Sequence, residues 1–141
     1  MKLSGIESGW AMAALSAMFP GSPETGLEGI AAMDVSGYLD DVMRTRPFRA
    51  VLGLRVAVWL VALAPPFVLG RVATIVGLAH PERERLLDGL LAHRTYSVRM
   101  LVMLLKTFGA LLYAGDDRVR ARLRPARLRP LIALRLRGSP R

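Results

Sequence analysis

Between Arg94 and Leu123 the chain reads RTYSVRMLVMLLKTFGALLYAGDDRVRARL, and this stretch limits the fold more than any other. Its apolar residues recur at helical spacing around almost the whole circumference. Leu87, Leu91, Arg94, Val98, Leu101, Leu105, Phe108 and Leu112 form one stripe, and Leu86, Leu90, Met100, Leu104 and Leu111 form its neighbour. Arg99 and Lys106 mark a thin polar seam opposite. A surface helix keeps a broad polar face toward water, so a seam this thin predicts a helix covered on several sides. The cover is either the rest of a small bundle or a second surface lying on one flank.

A chain of 141 residues has room for one core. With 52% hydrophobic and 22% charged residues, it has the composition of a folded domain. It has no cysteine, which excludes disulfides, thiolate metal sites and a cysteine nucleophile. The formal charge of +9 is unevenly placed. Residues 1–117 hold 11 Lys+Arg and 11 Asp+Glu, whereas residues 118–141 hold 9 Arg and no acid. The division expected is therefore a helical bundle over 1–117 and a basic, proline-containing tail over 118–141.

No spanning helix is expected, because neither the best apolar candidate, Val51–Gly70, nor the next best, Ser8–Pro23, meets the length of a membrane span, ~20 apolar residues with ~17 as the lower limit. Arg55 interrupts Val51–Gly70 and leaves 15 uncharged residues from Val56 to Gly70. Ser8–Pro23 is 16 residues long and contains two prolines. Glu7 stands between Lys2 and the apolar patch Trp10–Phe19, and no twin arginine is present, so this end reads as a helix of the mature chain. A cytoplasmic location, or a peripheral one at a membrane, is expected.

The punctuation is helical throughout. Ser8 is placed to cap a helix over Gly9–Met18 that Phe19-Pro20-Gly21 ends. A second helix is expected over Leu27–Arg44, with Asp34, Ser36 and Gly37 as a break point. Arg46-Pro47 is a boundary and Pro47 opens a third helix to Ala64. Pro65-Pro66 stops it, and a fourth runs over Phe67–Leu78. AHPERERLL starts a helix whose pattern continues unbroken to about Ala114. Gly115 ends it, and Asp116 or Asp117 caps a last short helix through Leu123. The expected fold is all-α, a compact bundle of about five helices with an irregular arginine-rich tail.

Catalytic constellations are missing from the sequence. His80 and His93 lie 13 residues apart with no third ligand in register. GIESG lacks the glycine spacing of a nucleophile elbow. No strand precedes a glycine-rich phosphate loop. Asp40-Asp41 and Asp116-Asp117 are adjacent pairs that diverge on a helix. No catalytic, cofactor-binding or metal-binding residue is assigned.

The order of motifs resembles one family. Phe19-Pro20-Gly21, a short acidic helix, a proline boundary, an apolar helix and PERERLL are followed by Ser97, Arg99, Leu105-Lys106, Leu112-Tyr113, Asp116-Asp117 and Val119. This is similar to the small helical subunits, and fused N-terminal helical segments, of FAD-dependent alcohol, sterol and sugar oxidoreductases, of the gluconate 2-dehydrogenase small-subunit type. The resemblance covers about Met18 to Leu123. Arginines replace the usual glycine-tyrosine after the valine. The resemblance implies a non-catalytic accessory subunit with no cofactor of its own. A larger chain carrying FAD would cover the apolar flank, with Leu101, Leu105, Phe108, Leu112 and Tyr113 as partner-binding residues, and the subunit would roof part of its substrate entrance. Two other partners compete with this. An anionic membrane surface suits a basic tail beside apolar helices. Nucleic acid suits arginine, but the tail has no aromatic residue to stack on bases.

Overall fold

Helix α1 (Gly5–Met18) begins one turn earlier than the apolar pattern suggests, because Ser4 caps it better than Ser8. The Ser4 hydroxyl accepts from the Glu7 N–H at 3.2 Å, and the Glu7 carboxylate accepts from the Ser4 N–H at 2.8 Å. This reciprocal box satisfies two donors that a helix start otherwise leaves open. Ser8 lies inside the first turn, its N–H donating to the Ser4 carbonyl. Pro20 ends the helix by keeping Phe19 out of helical backbone.

The computed structural model describes residues 2–24 and 26–123. It is all-α, 74% helical, with seven α-helices and no strand among the described residues. The expected irregular tail over 124–141 lies outside the described residues.

After α1 the chain doubles back. Ser22 and Leu27 form an isolated antiparallel bridge, and Gly26 takes φ +64° beside it. Gly21 and Gly29 meet backbone to backbone: a Cβ on Gly21 would lie 2.8 Å from the Gly29 nitrogen. A 3-10 turn (Ile30–Ala32) leads to Asp34, whose Oδ1 accepts from the Gly37 N–H at 2.9 Å and starts α2 (Val35–Thr45). The helix expected over Leu27–Arg44 is thus a loop and a shorter helix. Asp34 gains more as a cap than inside a helix.

Helix α3 (Phe48–Leu63) follows Pro47, and α4 (Pro65–Val68) is one turn opening on the two prolines. The helix expected over Phe67–Leu78 ends already at Val68, and Gly70 just beyond takes φ +66°. The chain then continues as a loop and a second 3-10 turn (Ile75–Gly77), pinned by Arg83 donating to the carbonyls of Ile75 at 2.9 Å and Val76 at 3.0 Å. Helix α5 (His80–Leu91) opens as expected, with Pro81 in its first turn and Glu82 accepting from the Ala79 N–H at 3.0 Å.

The run expected to be unbroken to Ala114 breaks at residues 92–95. A helix from Pro81 to Ala114 would be about 50 Å long at ~1.5 Å per residue. No other helix here could flank such a length, since α3 has 16 residues. The break lets α6 (Tyr96–Gly115) pack on α5. Arg99 Nη1 stabilises it, donating to the carbonyls of His93 at 2.6 Å and Arg94 at 3.2 Å. Helix α7 (Asp117–Leu123) starts at Asp116, whose Oδ1 accepts from the N–H groups of Arg118 and Val119. Val119 is buried, so the first residues of the basic segment pack on the bundle.

The central helix is α1, not α6. It packs against α2, α3, α5, α6 and both 3-10 turns. Ala11, Ala13, Ala14 and Ala17 are buried on it, and such small side chains admit neighbours from several directions. Helix α6 buries Val102, Leu105, Phe108 and Gly109, while Tyr96, Met100, Met103 and Leu111 are exposed. Its thin polar seam therefore does not mean cover on every side.

Two glycines in helices should respond oppositely to alanine. Gly9 has open space around it, so Gly9→Ala should stabilise by about 0.5–1 kcal/mol through helix propensity. A Cβ on Gly109 would lie 2.6 Å from both Leu15 Cδ2 and Phe19 Cε2. Gly109→Ala should lose that gain to overpacking and destabilise by roughly 1–2 kcal/mol. Urea unfolding midpoints of the two variants check the pair.

Candidate functional site

Glu7 is 1% exposed and ionised. Arg55 Nε donates to its Oε1 at 2.7 Å and Arg55 Nη2 to its Oε2 at 3.2 Å. The Trp59 indole N–H donates to Oε1 at 2.6 Å. Arg55 and Trp59 stand one turn apart on α3, so a single face of that helix delivers both donors. Trp10 meets Trp59 edge-on, with ring centroids 5.0 Å apart and planes at 82°. Burial would push the Glu7 carboxyl up. The Ser4 backbone N–H, the Trp59 indole, the Arg55 guanidinium and the Ser4 hydroxyl outweigh it and hold the group down at about 2. A carboxylate so engaged keeps its charge at neutral pH and has no proton to offer, so it joins α1 to α3 and does not act as an acid or base.

With Arg55 turned toward Glu7 at its edge, the adjoining outer side of α3 is apolar and open. Phe48, Leu52, Val56, Trp59 and Leu63 follow helical spacing along it, and all are exposed. Phe67 on α4, 89% exposed, and Val72 beyond it, fully exposed, continue the surface. A groove of about 570 Å³ lies between Val56, Trp59, Leu60 and Leu63 of α3, Phe67 and Val68 of α4, Gly89 and Leu90 of α5, and Val98 of α6. His93 stands at its edge, its Nδ1 accepting from the Thr95 N–H at 3.1 Å. The side chains of α3 and α6 meet closely: a Cβ on Gly53 would lie 3.1 Å from Leu104.

Two ion pairs outside this region involve α5. His80 faces Glu84 at 3.3 Å along α5. Arg71 pairs with Glu82, whose carboxyl is lowered first by the Ala79 N–H and then by Arg71. Among the described residues no group of three or more His, Asp or Glu is placed to hold a metal ion.

The residues assigned to partner binding divide by depth. Leu105 and Phe108 are buried in the chain's own core, and Leu101, Leu112 and Tyr113 are half-buried against it. Exposed Leu111 lies beside Leu112, lining a second hollow of about 300 Å³ with Met33 and Tyr38. Two residues of the motif order, Phe19 and Tyr113, meet at this end. Phe19 stacks on Tyr113 with centroids 5.8 Å apart, and Gly109 lies under the Phe19 ring. The Tyr113 hydroxyl donates to the Glu28 carbonyl at 3.1 Å, and Arg118 bonds the Glu28 carboxylate at 2.8 Å.

Comparison with known protein families, curated proteins and solved structures finds no match to this chain. Sequence patterning does not reveal the Glu7–Arg55 contact, the open face of α3 or the groove. Their available signal is a lone acid in one apolar stretch and a lone arginine in another.

Helix α6 is the one helix among the described residues long and apolar enough to cross a membrane, with 20 residues and a mean hydropathy of 1.5. Arg55 and Pro65-Pro66 deny that length to α3, as expected.

The Glu7 contact should make stability depend on acid. Its carboxyl titrates near 4.5 when unfolded and near 2 when folded. Its contribution is therefore complete above pH ~4.5 and is lost as pH falls toward ~2, roughly 3 kcal/mol in all. Subtracting the Glu7→Gln unfolding curves from those of the natural chain between pH 7 and pH 2.5 should isolate this slope. A flat difference would show the carboxylate is not held as described.

Proposed function

We propose that this chain is a non-catalytic accessory subunit of a larger FAD-dependent oxidoreductase chain, which it stabilises and whose substrate entrance it partly roofs. Flavin and reacting groups belong to the partner. The observation that supports this reading most is the packing at the α7 end. Phe19 stacks on Tyr113, whose hydroxyl reaches the Glu28 carbonyl, and Asp116 caps the helix that buries Val119. Phe19, Tyr113, Asp116 and Val119 all match the small-subunit pattern, and each does a packing or capping job. Residues that match through shape suit a subunit that holds another chain.

The docking end in this reading is the hollow beside α6, where Leu111 and half-buried Leu112 and Tyr113 reach the surface next to Met33 and Tyr38. Leu105 and Phe108 support it from behind. The nine arginines of residues 118–141 assist by charge.

The test is co-expression with a flavoprotein encoded beside it. The expected product is a yellow complex in which the larger chain opens with G-x-G-x-x-G, while this chain purified by itself is colourless. A flavin spectrum that survives gel filtration of this chain by itself would defeat the proposal. Leu111→Asp should weaken the complex at least about ten-fold with helicity unchanged, since it places an unpaired charge in the contact. Deleting residues 124–141 should slow association and flatten its salt dependence, because exposed charges act over ~8–10 Å and are screened by salt.

A further inference from the structure

We infer that the outer side of α3 and α4, with the adjoining N-terminal half of α6, rests on an anionic membrane surface. This is independent of the flavoprotein reading and uses the other end of α6. Three observations support it.

The first is the exposed side chains themselves. Trp59, Leu63, Phe67, Tyr96 and Met100 are exposed on three helices that share one groove or adjoin it. A free water-facing surface keeps contiguous apolar patches small. Tyr96 can settle with its hydroxyl at headgroup depth, and Trp59, whose N–H is held by Glu7, offers its ring.

The second is the sign of the charges. The chain carries no Asp or Glu from Val42 to Pro81, nor from Gly89 to Gly115, the two segments that contain α3, α4 and α6. It carries eight cations there. Arg55 and Arg71 are engaged by Glu7 and Glu82. Arg49, Arg94 and Arg99 have no carboxylate within ion-pair distance among the described residues, and Arg99 lies over the Tyr96 ring at 5.9 Å, whereas Lys106 lines a separate hollow with Glu84 and Asp88 of α5. An apolar face built on segments that carry cations and no acid complements anionic headgroups above a hydrocarbon layer.

The third is what the same charges disfavour. Two copies joined through this face would bring together segments that carry cations and no acid of their own. The inner sides of α3 and α6 are committed to the core through Val58, Val61, Val102 and Leu105, so the geometry is that of helices lying in an interface, not crossing it.

The experiment uses the full chain and vesicles of equal size, one set of neutral phosphatidylcholine and one containing phosphatidylglycerol. The chain should float with the anionic set and bind the neutral set at least about ten-fold more weakly. Phospholipids brominated along their acyl chains should quench tryptophan emission on binding, because Trp59 enters the interface. The double variant Phe67→Asp and Met100→Asp should keep its helicity and melting behaviour, both sites being exposed, and lose about ten-fold or more in vesicle affinity. Each of Arg49→Gln and Arg94→Gln should cost about five-fold. Binding that persists in the double variant without quenching would mean that the arginine tail binds by itself, and would overturn the inference. So would a concentration-dependent dimer in sedimentation that the same double variant abolishes while vesicle binding is unchanged. The vesicles contain no flavoprotein, so a failure here leaves the accessory-subunit reading standing, and the reverse also holds.

Discussion

One carboxylate determines which way the most apolar part of the chain faces. Glu7 binds Arg55 and Trp59 together, and both project from one side of α3. That fixes the rotation of α3 about its own axis. The Trp59 N–H is turned inward and its ring remains at the groove. The outward side then falls to Phe48, Leu52, Val56 and Leu63. A buried ion pair adds little net stability against an apolar replacement, but losing one partner is costly, and its geometry is specific. In the central helix of a bundle otherwise joined by alanines and leucines, which pack nearly as well at several rotations, that specificity selects one arrangement.

The parts of the fold legible in the sequence are those set by local backbone chemistry. Phe19-Pro20, Arg46-Pro47 and Pro65-Pro66 mark real boundaries, since proline acts on its own neighbours whatever surrounds it. Asp116 caps α7 for the same local reason. The features that local patterns miss depend on distant residues. Nothing near Ala92 or His93 forbids a helix; the break follows from the need to pack α6 against α5 within a small body, and Arg99 satisfies the carbonyls it frees. Ser4 prevails over Ser8 because Glu7 is needed at the third helical position and is held there by α3, 48 residues away.

The candidate surfaces are less legible, and α6 shows why. Apolar residues around a helix can mean cover by the chain's own core or cover by something else. Composition has the same value in both cases. Leu105 and Phe108, which the resemblance assigns to a partner, lie in the chain's own interior, and the half-turn that sets Met100 and Met103 outside has no mark of its own in the sequence. It is fixed by Gly53, which admits Leu104 beside α3, and by Gly109, which admits Leu15 and Phe19 on the inner side. Two glycines thus set the rotation of α6, as Glu7 sets that of α3.

Charge totals conceal a similar division. Residues 1–117 sum to zero, which reads as a neutral body carrying a cationic tail. The zero is a balance between regions. All eleven acids lie in residues 1–41, 82–88 and 116–117, and the segments that supply the apolar exterior hold cations alone. Arg55 and Glu7 show the cost of an exception: the one arginine turned toward the core requires an acid brought from another helix. Among the described residues Arg49, Arg94 and Arg99 have no carboxylate within ion-pair distance, whereas Lys106 lines a hollow with Glu84 and Asp88. A body that is neutral in sum is therefore divided along its sequence, and residues 118–141 continue the sign of its acid-free segments.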